Sequence, residues 1–385
     1  MRTEGAVEGA AGAATRTFLE FFCGGGMARA GLGDGWRCLV ANDIDAAKGR
    51  AYAANFGAER LAIQDVATLE AQAIPGRADL AWASFPCQDL SLAGAGAGLE
   101  GRRSGAFWPF WRLMLQLAKE RRAPRLIAIE NVCGLLSSHD GADFAALISA
   151  VQAGGYRCGA LVIDAVEFTP QSRPRLFLLA VAQDVAVPPA LLADGPPAWG
   201  AAPALLAAYA RLPPETARLW WRLPAPARRN LALADLIEED PEGVGWTSAD
   251  RLLSLMAPVH RARVAQAQAA GGRHVGALYR RTRPTPDGSK VQRAEVRFDG
   301  LAGCLRTPAG GSSRQSILVV ENGDVRTRLL SAREAARLMG LPDSYALPRT
   351  YNEAYHLLGD GVVAPVVRHL AAHWMEPILA SAPRA

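Results

Sequence analysis

From Thr17 to Ala182 the sequence alternates short apolar runs with amphipathic stretches, and few folds accommodate that pattern. The apolar runs are Thr17 to Phe22, Arg37 to Asn42, Leu61 to Val66, Asp79 to Phe85, Arg125 to Glu130, Cys158 to Ala165 and Arg175 to Ala182. Their length and their Gly, Pro and Asp boundaries predict strands. Helical stretches fall between most of them, at Met27 to Leu32, Ala46 to Asn55, Ala106 to Arg121 and Asp143 to Gly154. Parallel strands need long crossovers, so this alternation predicts an α/β class chain with a doubly wound, mostly parallel sheet and helices on both faces. Ligands of such sheets bind outside the carboxyl ends of the strands.

The composition changes twice along the chain. Residues 1–15 are an Ala/Gly-rich leader expected to be disordered, and residues 16–186 carry the strand and helix alternation. From about Val187 the sequence turns rich in Pro and Ala, and residues 271–315 are rich in Arg, Gly, Thr and Pro with little periodicity. Residues 187–325 are therefore expected to form a smaller, loop-rich lobe, and residues 326–385 a return to the sheet. Ser331 with Glu334 three residues on has capping-box spacing, and a last helix is expected from about Val362 to Trp374.

With half its residues hydrophobic, the chain can bury a large core. It has no uninterrupted apolar run of membrane-spanning length and no secretory signal pattern, which predicts a cytoplasmic location without membrane attachment. The net charge of +5 is compatible with a polyanionic partner, and basic residues bunch between Arg261 and Arg328. The six cysteines form no CxxC pair and have no His at ligand spacing, so no metal site is expected. A single Cys is most often a small buried apolar residue. Cys87 has to be argued from its neighbours.

Four constellations fall at predicted strand ends. Phe22-Cys23-Gly24-Gly25-Gly26 forms a glycine turn after the first strand, with Asp43 and Ile44 after the second and Asp65 and Val66 after the third. An acidic residue after the second strand suits ribose hydroxyls, so this pattern points to a nucleoside-containing cofactor, although glycine turns are often purely structural. Pro86-Cys87-Gln88 follows the fourth strand and leads into a Gly/Ala-rich loop that suits a lid over a substrate. Glu130-Asn131-Val132 closes the fifth. Gln171-Ser172-Arg173-Pro174-Arg175 places two arginines in alternation on one side of an extended segment, suited to holding an oxyanion or phosphate.

Taken in order, these segments resemble the cytosine-5 DNA methyltransferases of bacterial type. The resemblance runs from Thr17 to about Trp374 and includes Leu330 to Tyr345 and Gly359-Asp360-Gly361-Val362. It implies a Rossmann-like methyltransferase fold that binds S-adenosylmethionine, and a smaller target-recognition domain over residues 187–325. It implies that Cys87 adds to C6 of a flipped cytosine, that Glu130 binds N3 and the exocyclic amine, that Arg175 binds O2, and that Arg173 lies nearer the active-site loop or the DNA backbone. For the cofactor it implies Phe22, Gly24, Gly26, Asp43, Ile44, Asp65, Val66, Pro86, Asp360 and Val362. For DNA it implies Arg280, Arg281, Arg283, Arg306 and Arg314. The expected protein is a monomer acting on duplex DNA, and the existence of a partner restriction endonuclease stays open.

Three departures from the family pattern stand out: Met27 for the last glycine of the turn, Asp43 for Glu, and Asp360-Gly361 for Asn-Ser. Three other readings stay open at this point. A tRNA cytosine-5 methyltransferase uses the same Cys and Glu chemistry, and a non-catalytic DNA-binding protein could retain the fold. An NAD-dependent oxidoreductase explains the glycine turn but leaves Pro86-Cys87-Gln88 unexplained.

Overall fold

The computed structural model describes residues 16–86, 105–285, 288–306 and 314–382. The leader, Cys87 with the expected lid, and most of the run between Arg306 and Arg314 lie outside the described residues. The main sheet has seven strands: β1 (Arg16–Phe21), β2 (Trp36–Asp43), β3 (Leu61–Ile63), β4 (Leu80–Ala83), β5 (Leu126–Val132), β6 (Tyr156–Asp164) and β7 (Pro174–Ala182). Their spatial order is β3-β2-β1-β4-β5-β7-β6. The strands from β3 to β5 pair in parallel, whereas β7 runs antiparallel to both β5 and β6. That reversal matters for chemistry, because it brings the start of β7 to the carboxyl end of β5.

Helices α1 (Met27–Leu32), α2 (Ala46–Phe56), α3 (Phe107–Lys119) and α4 (Ala142–Ala153) lie between the strands. Every residue of β4 is buried, as are all of β5 but Val132, the pattern of a sheet covered on both faces. Strand β3 stops short of the expected Val66. Asp65 accepts the Ala67 amide at 2.8 Å and turns the chain before the strand can continue.

Beyond Val187 the chain first stays on the main core. The strand pair β8 (Leu192–Ala193) and β9 (Trp220–Trp221) and helix α5 (Pro203–Ala210) pack there. Fully buried Trp221 donates from Nε1 to the Gly159 carbonyl at 3.0 Å, and a Cβ at Gly159 would lie 2.1 Å from the Leu219 carbonyl oxygen. A second core then forms around Met256, Val264, Leu278, Ala294, Val296 and Leu318. It comprises helices α6 (Asp250–Ser254) and α7 (Pro258–Ala270) and a five-stranded antiparallel sheet. The strands are β10 (Thr247–Ser248), β11 (Arg273–Pro284), β12 (Lys290–Arg297), β13 (Ser316–Glu321) and β14 (Asp324–Leu329). The β11–β12 hairpin hides from periodicity because β11 is exposed on both faces beyond Tyr279, so no apolar alternation marks it.

The return segment supplies α8 (Ala332–Leu338), α9 (Tyr351–Asp360) and α10 (Ala364–Leu370). Ser331 and Glu334 form the expected capping box. Glu334 also takes two hydrogen bonds from Arg328, at 2.6 and 2.8 Å, with both side chains fully buried. This pair locks β14 to α8. The last helical stretch begins at Ala364, later than expected, and continues through a wider turn at Ala371–Met375 to Ser381. Helix α10 packs against α1, and α9 against α2. No helix among the described residues is long and apolar enough to cross a membrane.

Candidate active site

The glycine turn after β1 is held open by backbone geometry. Phe22, Gly24 and Gly26 have φ values of 57°, 52° and 78°, the left-handed region that only glycine enters without strain. A Cβ added at Gly24 meets nothing within 4 Å, so the turn faces open space. Asp43, at the end of β2, is buried, and each of its oxygens accepts a backbone amide at 2.8 Å, one from Gly24 and one from Asp45. Its carboxylate thus shapes the turn. Ile44 beside it is 69% exposed, an apolar surface presented at the same edge. Asp65 is exposed and Val66 buried next to β3, and Pro86 is exposed after β4.

Phe22 packs edge-on against Phe85, which in turn packs on Phe107 at the start of α3. The Phe85 carbonyl accepts a hydrogen bond from Asn131 Nδ2 at 3.1 Å. The backbone two residues before Cys87 is therefore tied to the neighbour of Glu130. Glu130 itself is buried, and its Oε1 lies 3.1 Å from Arg175 Nε. Register explains this pair: Val132 stands opposite Arg175 and Glu130 opposite Phe177, so Glu130 and Arg175 share one face of the β5/β7 ladder. A carboxylate and a guanidinium together present an acceptor and planar donors, which suits the edge of a heterocyclic base.

Arg173, which the resemblance sets nearer the active-site loop or the DNA backbone, is bonded to backbone carbonyls of two distant segments. It is 2% exposed, and its guanidinium donates to the carbonyls of Leu305 at 2.9 Å, Gly359 at 2.8 Å and Gly361 at 2.7 Å. Burial, with Arg175 adding repulsion, pushes it down to about 10. The planar fork matches carbonyls from two distant segments, which is why it is drawn inward. Arg173 is a positioning residue that joins Leu305, which follows β12 and packs in the main core, to the C-terminal end of α9 that carries Asp360. Between the two arginines sits Cys304, its Sγ 3.3 Å from Arg173 Nη1 and 3.9 Å from Arg175 Nη2. Burial raises this thiol, but the two guanidiniums outweigh that and hold it below its ordinary range.

The arginines expected to meet DNA fall in separate settings. Arg280, Arg281 and Arg283 are exposed on β11, with Arg281 and Arg283 both reaching Glu295 of β12, at 3.5 and 2.6 Å. Arg306 is exposed. Arg314 is half-buried, bonded to Asn352 and stacked over Tyr351 of α9, 5.4 Å from the ring centroid.

Two of the three departures from the family pattern are matched by partners that sequence reading missed. Asp360, beside the glycine turn, pairs with Lys48 of α2 at 2.7 Å. A Cβ on Gly361 would lie 2.1 Å from the Met27 sulfur, so the extra bulk at position 27 occupies the space a side chain at 361 needs. Both partnerships span more than three hundred residues, and only a paired comparison of positions could have exposed them. Gly361→Ser should accordingly destabilise the protein by about 1–3 kcal/mol through overpacking. Thermal unfolding of Gly361→Ser, Met27→Ala and the double variant should show the double to be less destabilised than the two single losses added together; strict additivity would mean that the two sites do not compete for space.

Tyr345 was also overlooked. Its hydroxyl donates to the Gly25 carbonyl at 2.6 Å and supports the turn from below.

The C-5 cytosine-specific DNA methylase family profile matches residues 16–376. The chain is 25% identical over 358 residues to the Type II methyltransferase M.NlaX of Neisseria lactamica, covering 92% of this chain and 94% of that one. It is 24% identical over 356 residues to the Type II methyltransferase M.HhaI of Haemophilus parahaemolyticus, covering 92% of each. Among solved structures, the S. pombe Dnmt2 methyltransferase aligns with a TM-score of 0.56 at 18% identity, over 94% of this chain and 99% of that one, a likeness of fold. With the family's pattern spanning nearly its whole length, the chain belongs to the C-5 cytosine-specific DNA methylases.

Proposed function

We propose that this DNA cytosine-5 methyltransferase modifies a flipped cytosine within a specific duplex sequence through Cys87, Glu130 and Arg175. The observation that carries this reading is the contact of buried Glu130 with half-buried Arg175, set beside the Asn131 hydrogen bond to the Phe85 carbonyl. Cytosine C5 is a weak nucleophile until electron density is pushed into the ring. The Cys87 thiolate supplies that push by adding to C6, while Glu130 hydrogen-bonds N3 and the exocyclic amine and Arg175 holds O2. Loss of the C5 proton then expels Cys87 from C6 and restores the ring. The target base has to leave the duplex stack first, at a cost of a few kcal/mol.

S-adenosylmethionine, when bound, supplies an electrophilic methyl group. The residues fit it: open space over Gly24, the exposed apolar Ile44 and the half-buried Phe22 line one strand edge. Phe22, Gly24, Gly26, Asp43, Ile44, Asp65, Val66, Pro86, Asp360 and Val362 form this pocket in the proposal, with Asp43 holding the turn and keeping lone pairs for the ribose hydroxyls.

The second core with the exposed arginines of β11, Arg306 and Arg314 serves as the target-recognition lobe, and Arg173 ties the segment between β12 and β13 to the cofactor side. Arginines in such positions grip phosphates or read guanine edges. We place the protein in the cytoplasm as a monomer. Bisulfite sequencing of DNA from cells expressing the chain tests the reading. Protection of one cytosine within a single short sequence is expected; conversion indistinguishable from control cells would refute it.

A further inference from the structure

We infer that Lys48 and Asp360 form the subsite for the amino-acid head of the methyl donor, with Lys48 taking its carboxylate and Asp360 its ammonium group. The inference rests on the cofactor pocket proposed above. The methionine part of S-adenosylmethionine ends in a zwitterion, and a site for it needs a cation and an anion side by side at the rim. Lys48 and Asp360 present that pair: their charged atoms are 2.7 Å apart, and the side chains keep 24% and 41% of their surface exposed.

The surroundings favour this assignment over a simple latch between α2 and α9. Those helices are already joined by Arg50 with Glu353, and the Asn55 side chain exchanges two hydrogen bonds with the backbone of Ala346 just before α9. Lys48 lies in the field of Asp43, Asp45 and Asp360, and these carboxylates raise its affinity for the proton against the effect of burial, so it is charged at neutral pH. Asp43 accepts one backbone amide of the turn on each oxygen, and the ribose is its assigned partner. Gly361, which follows Asp360, bears no side chain that could bind the head group. An ammonium with three donors has capacity beyond Asp360.

Calorimetric titration with two probes tests the subsite. S-adenosylhomocysteine carries the amino-acid head, and 5′-methylthioadenosine lacks it. Lys48→Ala should weaken S-adenosylhomocysteine about tenfold, the usual scale for a lost charge-assisted contact at a partly exposed site, and leave methylthioadenosine within about twofold. Lys48→Arg should restore most of the loss. Asp360→Asn should weaken only the first probe, by a smaller factor.

Unchanged S-adenosylhomocysteine affinity in Lys48→Ala would overturn the inference. So would an equal loss for both probes, which would make Lys48 a structural support. If the intact protein bound neither probe, the cofactor pocket itself would be wrong, and the inference would fall with it.

Discussion

Cys87→Ala should reduce methyl transfer to duplex DNA to background, a loss on the order of 10⁵-fold or more, as when a covalent nucleophile is removed. Glu130 and Arg175 cannot replace the push of a thiolate into C6, because they stabilise charge without supplying an electron pair to carbon. Binding of S-adenosylhomocysteine should persist, since the glycine turn, Asp43 and the Lys48–Asp360 pair do not depend on the thiol. Incorporation of labelled methyl groups under single-turnover conditions measures the effect. Activity within tenfold of the intact protein would exclude Cys87 as nucleophile.

Glu130→Gln should lower the single-turnover rate by about 10²–10³, the cost of removing one preorganised hydrogen-bonding group from a site of developing charge. The amide keeps the shape of the side chain but loses the carboxylate that faces Arg175 at 3.1 Å and is matched to the base edge. Affinity for the cofactor probes should stay unchanged, so that the loss appears in the chemical step. A variant with an intact rate would assign Glu130 to the architecture of β5 alone.

The fold was largely legible in the sequence because its sheet is buried on both faces. Continuous apolar runs such as Leu126 to Ile129 mark such strands, and the helices between them fall where crossovers must. The second sheet was not legible, since β11 projects beyond the core and Arg and Thr occupy both of its faces.

Within the site, sequence could place Glu130 and Arg175 at strand ends, but their contact depends on β7 running antiparallel beside β5. Arg173 and Arg175 look equivalent in Gln171-Ser172-Arg173-Pro174-Arg175. One is drawn inward by three backbone carbonyls, and the other reaches Glu130. The departures at Met27 and Asp360 looked like isolated exceptions because their partners, Gly361 and Lys48, lie elsewhere in the chain. Paired, they keep the space and the charge at the turn in balance.

Cys304 gives the mechanism its sharpest test, because a second thiol held below its ordinary range lies beside Arg175. A duplex carrying 5-fluorocytosine at the target position blocks the last step, since the C5 fluorine cannot leave as a proton and the enzyme stays bonded to C6. Denaturing electrophoresis with S-adenosylmethionine present should show a covalent protein–DNA complex for the intact protein and for Cys304→Ser, and none for Cys87→Ala. A complex that survives in Cys87→Ala, or that never forms with the intact protein, would contradict the assignment of Cys87.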